Sequence, residues 1–225
     1  MESGSIGRPG SEGAGAPARV AQSQRSFGWM PADPVPLGIS GFALTTFILG
    51  LVNAGVLASN EVLVVLSVAG AYGGLAQLLA GMWAFAERNT FAAAAFSSYG
   101  AFWISFVLLI QFFLPEAQKA GGLAAANHAL GIYLFCWGFF TFYMWIPTFR
   151  MNIALNVVFL LLWVAYLTLG LPYMGIGGTT LTHWGGYVTC ACAVAAWYVG
   201  ASHVITSVFN RPLLPLGALA APQSG

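Results

Sequence analysis

The sequence has very few charged residues, and residues 151–210 contain no Asp, Glu, Lys or Arg at all. Between Leu37 and Phe85 the one charged residue is Glu61. Ordinary soluble domains carry about 25% charged residues, whereas this chain carries 6%, with 59% hydrophobic residues and a mean hydropathy of +0.80. Because a soluble fold could not keep so much chain free of charge, the sequence predicts an all-α integral membrane protein.

Other absences narrow the function. The sequence has no Gly-rich phosphate loop before a helix, no paired carboxylates and no Ser/His/Asp set, so we expect no enzyme activity. The three cysteines, Cys136, Cys190 and Cys192, fall inside apolar runs and lack disulfide-framework or zinc-site spacing. No metal site and no cofactor are predicted. A net charge of +1 gives no indication of nucleic-acid binding.

The apolar sequence is divided into runs of the length that a membrane helix needs, roughly 20 residues. Residues 157–165 are apolar at every position, which excludes the alternating pattern of a transmembrane β-barrel. We therefore predict six transmembrane helices, separated by turn formers or charges, at Leu37–Ala58, Val62–Phe85, Phe91–Leu114, His128–Ile146, Ile153–Leu171 and His183–Ile205.

The basic residues predict the orientation. With six spans both termini lie on one side, and that side collects Arg8, Arg19, Arg25, Arg88, Arg150 and Arg211, whereas the opposite loops hold only Lys119. By the positive-inside rule both termini should be cytoplasmic, in a multi-pass protein of the plasma (inner) membrane. We expect residues 1–32, rich in Gly, Ser, Pro and Ala, to be a disordered tail, residues 33–217 to be the transport domain and residues 218–225 to be a second tail.

Polar residues inside the predicted spans are almost all neutral, and no carboxylate lies at mid-membrane. Phe42, Thr46, Leu49 and Asn53 share one face of the first helix by their i, i+4, i+7, i+11 spacing. The third helix has a comparable stripe of Tyr99, Phe102 or Trp103, and Phe106. Such stripes are also typical of ordinary helix packing, in which Ser and Thr bond their own i−4 carbonyls. Asn53 and Gln77 are harder to assign to packing, since a primary amide has more groups to satisfy than one such bond provides.

A motif before the first helix resembles a known family. Residues 33–39 read Asp-Pro-Val-Pro-Leu-Gly-Ile, similar to the Asn-Pro-Ala-Pro-Leu-Gly-Leu signature of the acetate uptake transporter family, the succinate/acetate permeases. The motif residues are Asp33, Pro34, Pro36, Leu37 and Gly38. The resemblance continues in ordered blocks at 72–81, 89–91, 95–103, 131–141 and 214–217. The two prolines fix φ and remove backbone donors, so we expect the chain to reach the membrane extended and the helix to start at Leu37.

The resemblance implies a six-helix protomer that conducts small monocarboxylates, chiefly acetate and also succinate, through a pore in each subunit of a homohexamer. Family members are described as proton-linked transporters or as anion channels. Carried over by position, the apolar constriction falls on Phe42, Tyr99 and Leu162. The polar positions expected to contact substrate are Thr46, Asn53, Gln77 and Thr141.

This sequence departs from the family pattern at several positions. Asp33 stands where the signature has Asn, and His203 stands where bacterial relatives carry an acid, so we expect these two residues to be the titratable, proton-linked candidates. Arg88 and Ala92 replace glycines that flank the Asn-Thr-Phe block. Ala84 replaces a Glu. These changes bear on proton coupling and on substrate preference.

Two other functions stay open at the level of the sequence. Ammonium or ammonia export is a neighbouring transport function that has been proposed for fungal members. In a different class, His128 and His183 lie at the predicted outer ends of their helices and could in principle hold a haem as a bis-His pair in a membrane electron carrier. Histidines at the membrane interface more often cap helices or form hydrogen bonds.

Overall fold

The computed structural model describes Met1 and residues 31–219. Apart from Met1, Pro31 and Ala32, the predicted tail 1–32 lies outside the described residues, as do residues 220–225 of the predicted C-terminal tail. Within residues 31–219 the chain is helical, which confirms the all-α prediction. Named in chain order, the helices are α1 (Val35–Asn53), α2 (Val62–Ala86), α3 (Thr90–Leu108), α4 (Leu114–Thr148), α5 (Ile153–Tyr173) and α6 (Gly178–Phe209).

Helix α1 starts earlier than the prolines led us to expect. The expectation of an extended entry with a start at Leu37 is wrong, because Pro34 already has near-helical angles (φ −78°, ψ −12°) and the helix begins at Val35. Proline's fixed φ suits the first helical turn, where its missing N–H would have no intrahelical partner. The Gly38 N–H then closes the first turn by donating to the Pro34 carbonyl at 3.0 Å.

Helix α2 contains a wide turn that the sequence pattern does not indicate. Its middle third, Ala69–Ala76, is a π-helix that lies between the α-helical segments Val62–Val68 and Gln77–Ala86. A π segment inserts residues relative to the α-helical period, so it rotates the face presented by the residues that follow. Gln77 is the first residue after this segment and is 1% exposed.

Residues 90–148 form the longest helical stretch, in which α3 passes through the π segment Leu109–Phe113 directly into α4. The predicted spans end at Leu114 and resume at His128, but the residues between them are helical except for Gly122 (φ 80°, ψ 174°). Pro115 is tolerated in the first turn of a helix and the following alanines favour helix, whereas glycine alone adopts the Gly122 conformation without strain.

The two arms of this stretch lie side by side. The Tyr99 hydroxyl is 2.9 Å from the Thr141 hydroxyl, and the Ser105 hydroxyl is 2.7 Å from the Tyr133 hydroxyl. From the first pair to the second the residue number rises on α3 and falls on α4, so the two segments run antiparallel. Five helices in residues 31–219 are long and apolar enough to cross a membrane, and residues 90–148 count as one of them.

The helices pack into one bundle in which α6 is central. Helix α6 contacts α1 and α5 extensively, α5 contacts α4, and α2 contacts α3 and α1. The crossing of α1 and α6 is close because Gly50 and Gly186 leave no side chain between the backbones. After α6 the chain turns back along the start of α5: the N–H groups of Ile153 and Ala154 donate to the carbonyls of Gly217 and Leu216, and Ala218 forms an isolated β-bridge with Asn152.

Candidate functional site: three cavities in a row

Three cavities lie among the described helices. The entrance cavity, about 500 Å³, is lined by Asp33, Met151, Asn152, Ser202, His203, Thr206, Ser207, Pro212, Leu214, Leu216, Gly217 and Ala218. The middle cavity, about 160 Å³, is lined by Val35, Ile39, Phe42, Gln77, Asn89, Phe91, Ala92, Ala95, Phe96, Tyr99, Met151, Asn152, Leu155, Val158, Phe159, Leu162, Val199 and His203. The far cavity, about 40 Å³, is lined by Phe42, Thr46, Leu49, Phe102, Trp103, Phe106, Leu134, Leu162, Ala165, Tyr166, Leu169 and Thr189.

Shared residues fix the order of the cavities. Met151, Asn152 and His203 line both the entrance and the middle cavity. Phe42 and Leu162 line both the middle and the far cavity. The three spaces therefore follow one another through the bundle, and the boundary between the second and the third includes two apolar side chains.

The three predicted constriction residues all line the middle cavity, and two of them, Phe42 and Leu162, also line the far cavity. Phe42, Tyr99 and Leu162 come from three helices and are 6%, 3% and 6% exposed. The rings of Phe42 and Tyr99 have centroids 6.0 Å apart. All three line the middle cavity, and we call this group the neck. The neck therefore brings two large rings and a branched aliphatic chain to the same cavity.

Tyr99 is held in place from α4. Its hydroxyl pairs with that of Thr141, which also donates to the Trp137 carbonyl at 2.8 Å, and its ring meets the ring of Phe140 edge to face at 5.3 Å. Thr141 is fully buried and lines none of the three cavities. Its geometry is that of a residue that positions the neck.

The other predicted substrate-contacting residues lie in different places. Gln77 lines the middle cavity, and its side-chain oxygen is buried without a hydrogen-bond partner among residues 31–219. Thr46 lines the far cavity, and its hydroxyl is likewise buried and without a partner in that part of the chain. Asn53 is different, because its amide nitrogen donates to the Leu49 carbonyl at 3.1 Å and it lines none of the three cavities. Gln77 and Thr46 therefore lie on opposite sides of the neck.

Helix N-termini surround the middle cavity. Asn89 caps α3 by accepting from the Ala92 N–H at 3.0 Å, Asn152 caps α5 by accepting from the Leu155 N–H at 2.8 Å, and both asparagines line the cavity. Val35, the first residue of α1, lines it too. A helix N-terminus carries a partial positive charge and favours anions. Sequence reasoning missed this feature, although an Asn directly before an apolar helix is a recognisable N-cap signal.

Asp33 and His203 are paired where the entrance cavity meets the middle cavity. Asp33 Oδ2 and His203 Nδ1 are 2.8 Å apart, and Asp33 Oδ1 accepts from the Val35 N–H at 2.8 Å. Partial burial raises the pKa of Asp33, but the hydrogen bonds from His203 and Val35 and the attraction to His203 outweigh it. The pKa of this carboxyl therefore lies below its ordinary value. The structure brings together the two residues that we selected as proton-linked candidates.

The remaining motif residues shape the approach to this pair. Pro34 caps α1 and Pro36 lies in its first turn. Gly38 packs closely, because an added Cβ would lie 2.6 Å from the Phe96 ring. Leu37 is 44% exposed.

The positions that depart from the family pattern lie in different surroundings. Ala84 is fully buried, and Ala92 lies at the start of α3 on the middle cavity. Arg88 has φ 60°, the left-handed region that favours glycine, which explains the family's glycine at this position.

The haem alternative gains no support from the structure. His128 and His183 are both exposed, and neither lines any of the three cavities.

The fold defines a multi-pass helical membrane protein, and three neighbouring cavities lie inside it. The chain belongs to the GPR1/FUN34/yaaH family, whose model matches residues 16–217. Members of this family are transporters or channels rather than enzymes.

Several relatives are similar along most of this chain. It is 35% identical over 188 residues to the succinate-acetate/proton symporter SatP of Escherichia coli. This match covers 83% of this chain and 95% of that protein. It is 38% identical over 195 residues to acetate permease A of Emericella nidulans, covering 82% and 65% of the two chains. It is also 40% identical over 169 residues to ammonia transport outward protein 2 of Saccharomyces cerevisiae, and this match covers 74% of this chain and 59% of that protein.

A solved structure is similar as well. The structure of the bacterial acetate channel SatP has a TM-score of 0.74 to this chain at 34% identity, and covers 83% of this chain and 99% of that one.

Proposed function

We propose that this protein carries small carboxylates, chiefly the monocarboxylate acetate and also the dicarboxylate succinate, across the plasma membrane through a passage inside each subunit. The observation that carries the proposal is that Phe42 and Leu162 separate two cavities within a chain similar to an acetate channel and a succinate-acetate symporter. A short carboxylate has a small apolar end that can pass an apolar neck, whereas bulkier solutes cannot.

The charges around the passage suit an anion. Neither the middle nor the far cavity is lined by Lys, Arg, Asp or Glu among the described residues. The partial positive charges at the starts of α3 and α5 attract a carboxylate, and neutral groups bind it loosely. A fixed Lys or Arg at this depth would hold the ion too tightly, since conduction requires weak, multiple sites. We assign substrate contact to Gln77 and Thr46, with Thr141 and Asn53 as supporting residues.

The passage fits a protomer with six transmembrane helices. We infer that residues 90–148 cross the membrane twice, because a straight helix of 59 residues would extend about 90 Å, roughly three times the hydrocarbon thickness. The antiparallel contacts between α3 and α4 support this reading. Both termini then lie on one side, and the distribution of basic residues makes that side cytoplasmic.

We further propose that six such protomers form a homohexamer in the lipid bilayer. The resemblance to the permease family supports this assembly, and each protomer keeps its own passage because the neck is built from one chain. Oligomerisation then serves stability rather than pore formation.

Coupling of acetate transport to protons would depend on the residues of the entrance cavity. Moving one negative charge inward against an interior-negative potential costs about 2.3 kcal/mol per 100 mV, so net acetate uptake needs a proton partner, a large gradient or trapping inside the cell. Asp33 and His203 are our candidates for modulating this step, since the two side chains form a hydrogen-bonded pair where the entrance cavity meets the middle cavity. With no carboxylate in the middle or far cavity, we favour passive or weakly proton-linked flux.

Flux into liposomes tests the proposal. The purified protein is reconstituted, and uptake of radiolabelled acetate is measured near pH 7, where carboxylic acids of this kind are almost wholly ionised. We expect saturable uptake above that of empty vesicles, with competition by succinate. Vesicles that take up no acetate would overturn the proposal. In voltage-clamped bilayers, a current that reverses at the acetate equilibrium potential whatever the pH gradient identifies a channel, and a reversal that follows the pH gradient identifies proton coupling.

Ammonium or ammonia export is the second candidate, and the similarity to ammonia transport outward protein 2 is the observation that favours it. The same vesicles, loaded with a pH-sensitive dye, report ammonia movement as a change of internal pH. Ammonium flux without acetate flux would decide for this alternative.

A further inference from the structure

The chain that follows α6 forms a short segment over the start of α5, which we call the strap (Pro212–Leu219). The Gly217 and Leu216 carbonyls of the strap accept from the N–H groups of Ile153 and Ala154 at 2.8 Å and 3.0 Å. These two N–H groups belong to the first turn of α5, where a helix offers its own donors no acceptor. The strap therefore closes the N-terminus of α5 with backbone hydrogen bonds.

Two hydroxyl groups of α6 hold the other side of the strap. Tyr198 donates to the Pro215 carbonyl at 2.8 Å, and Ser202 donates to the Leu214 carbonyl at 2.7 Å. The two donors are four residues apart and so lie on one face of the helix. Ser207, further along α6, instead donates to a carbonyl of its own helix. Tyr198 and Ser202 are therefore committed to the strap, and we call them the clasp.

The strap lies at the junction between the entrance cavity and the middle cavity. Met151 and Asn152 line both cavities, and both are bound to the strap. The Met151 carbonyl accepts from the Leu219 N–H at 3.1 Å, and Asn152 forms the β-bridge with Ala218. His203, which also lines both cavities, directly follows a clasp residue on α6. The position of the strap therefore fixes the backbone at this junction.

The strap is attached more lightly than the helices are. Within residues 212–219 no residue is buried, and five of the eight are exposed. Leu216 is the strap residue that packs against the hydrophobic core. Pro212 and Pro215 have no N–H, so they add no backbone donor to the pairing with α5. Because segments with few buried apolar contacts open at a lower free energy than a packed core, the strap can leave its place while the helix bundle stays folded.

We propose that the strap is a gate, whose release from α5 and α6 opens the entrance cavity and frees Met151 and Asn152 at the junction. This inference rests on the proposed transport function. Release breaks the two clasp hydrogen bonds and the backbone bonds to the start of α5, and water can take their place at the end of the bundle. Tyr198 and Ser202 are positioning residues, because they act through the strap. The gate sets the rate at which substrate reaches the neck.

A reversible covalent lock tests the gate. Partners in an antiparallel bridge have Cα atoms about 4.5–5.5 Å apart, within the range that a disulfide spans, so Asn152→Cys combined with Ala218→Cys can join the strap to α5. The full-length protein in liposomes is oxidised, the bond is verified by mass spectrometry, and acetate uptake is measured before and after a membrane-permeant reductant.

We expect uptake to be lower by about tenfold or more in the oxidised double variant, because a lid that cannot open limits turnover, and to recover on reduction. The parent, with its three native cysteines, should transport equally under both conditions. A locked form that transports as fast as its reduced form would overturn the gate.

Loosening the clasp should have the opposite effect. Tyr198→Phe and Ser202→Ala each delete one hydrogen bond to the strap, which should raise by about fivefold both the hydrogen-exchange rate of the Ile153 and Ala154 amides and the maximal rate of acetate uptake. Tyr187→Phe is the matched control and should keep both parental values, because Tyr187 lies on α6, is 53% exposed and lines none of the three cavities. A variant that was only less stable would lose transport, so a gain separates the gate from a structural role.

The outcomes are distinguishable. Parental exchange and uptake in both clasp variants, or faster exchange without faster uptake, would contradict the gate, and these variants decide if the reduced double variant does not transport. Parent vesicles that take up no acetate refute the transport function. Normal uptake by the parent, with equal rates in the oxidised and reduced double variant, refutes only the gate.

Discussion

Phe42 and Leu162 are the residues on which the passage depends, because each contacts the space on both sides of the neck. Their effect comes from size and from the absence of polar groups. In the proposed passage, a ring and a branched chain would narrow the path and resist wetting, with the polar residues Gln77 and Thr46 on either side. The chemistry of the residues at this boundary, rather than any charge, should set which acids pass.

Widening the neck should change selectivity. In Phe42→Ala and in Leu162→Ala we expect uptake of succinate relative to acetate to rise by about tenfold or more, since a change of one or more methylene-sized volumes in an apolar pocket is worth roughly that factor. The measurement is radiolabelled uptake into liposomes by each purified variant.

Matched controls exist on the same helices. Phe47 on α1 packs against Trp197 and lines none of the three cavities, and Leu161 is the neighbour of Leu162 with the same side chain. Phe47→Ala and Leu161→Ala should keep the parental succinate-to-acetate ratio. A parental ratio in both neck variants would contradict the assignment.

The Asp33–His203 pair predicts a dependence of stability on pH. The pKa of Asp33 is lowered in the folded protein, so its ionised form contributes stability above its ordinary pKa, and this contribution is lost as the pH falls through the lower folded value. Asp33→Asn should lower stability at pH 7 by less than about 1 kcal/mol, because the pair is partly exposed.

Thermal melting in detergent at pH 7 and at pH 3 measures this effect. Asn keeps a side-chain acceptor for the Val35 N–H, so the difference between parent and variant isolates the charge. We expect the difference in melting temperature to shrink at the lower pH, and a difference that is constant or larger there would refute the pairing argument.

At the scale of elements, glycine sets how closely the helices approach. A Cβ at Gly186 on α6 would overlap the backbone of Asn53 and Ala54 at the end of α1, whereas a Cβ at Gly70 on α2 would meet nothing within 4 Å. Both glycines lie in apolar helices, so their different roles are invisible in the local sequence. Close backbone approach between small residues is the usual basis of helix packing in membranes.

The two glycines should respond oppositely to alanine. Gly186→Ala should cost about 1–3 kcal/mol by overpacking, because backbone atoms cannot move aside as a flexible side chain can. Gly70→Ala should be neutral or stabilising by up to about 1 kcal/mol, since alanine is the better helix former. Thermal melting of the two variants in the same detergent measures both effects, and equal melting temperatures would show that the α1–α6 crossing is looser than described.

At the scale of the whole molecule, the direction of residues 90–148 decides the topology. If this stretch crosses the membrane twice, its bend near Gly122 and the exposed Lys119 lie outside the cell, while both termini lie inside.

Lys119 is the one lysine of the sequence, which makes the topology testable. A membrane-impermeant amine reagent added to intact cells should label the parent protein and fail to label Lys119→Arg. Tags at the two termini should become accessible to protease only after the membrane is opened. Labelling of Lys119 only after lysis would reverse the orientation.

The sequence by itself determined the environment and the helical class, and it predicted the residues of the neck. Charge-free runs can be stable only in lipid. The spacing of Phe42 and Thr46 on one helix face, together with the resemblance at Tyr99 and Leu162, led to the prediction of a constriction at Phe42, Tyr99 and Leu162. These features are local, because hydropathy and helical periodicity are properties of neighbouring residues.

Only the tertiary structure decided which buried polar groups lack a hydrogen-bond partner in the described part of the chain. Asn53 and Thr141 bond within their own helices or to Tyr99, whereas Thr46, Gln77 and Trp103 keep unpartnered atoms. The π segment that precedes Gln77, the convergence of helix N-termini on the middle cavity and the pairing of Asp33 with His203 across 170 residues of chain likewise depend on how distant segments pack. Hydrogen-bond partners are set by that packing, and so no local pattern could reveal them.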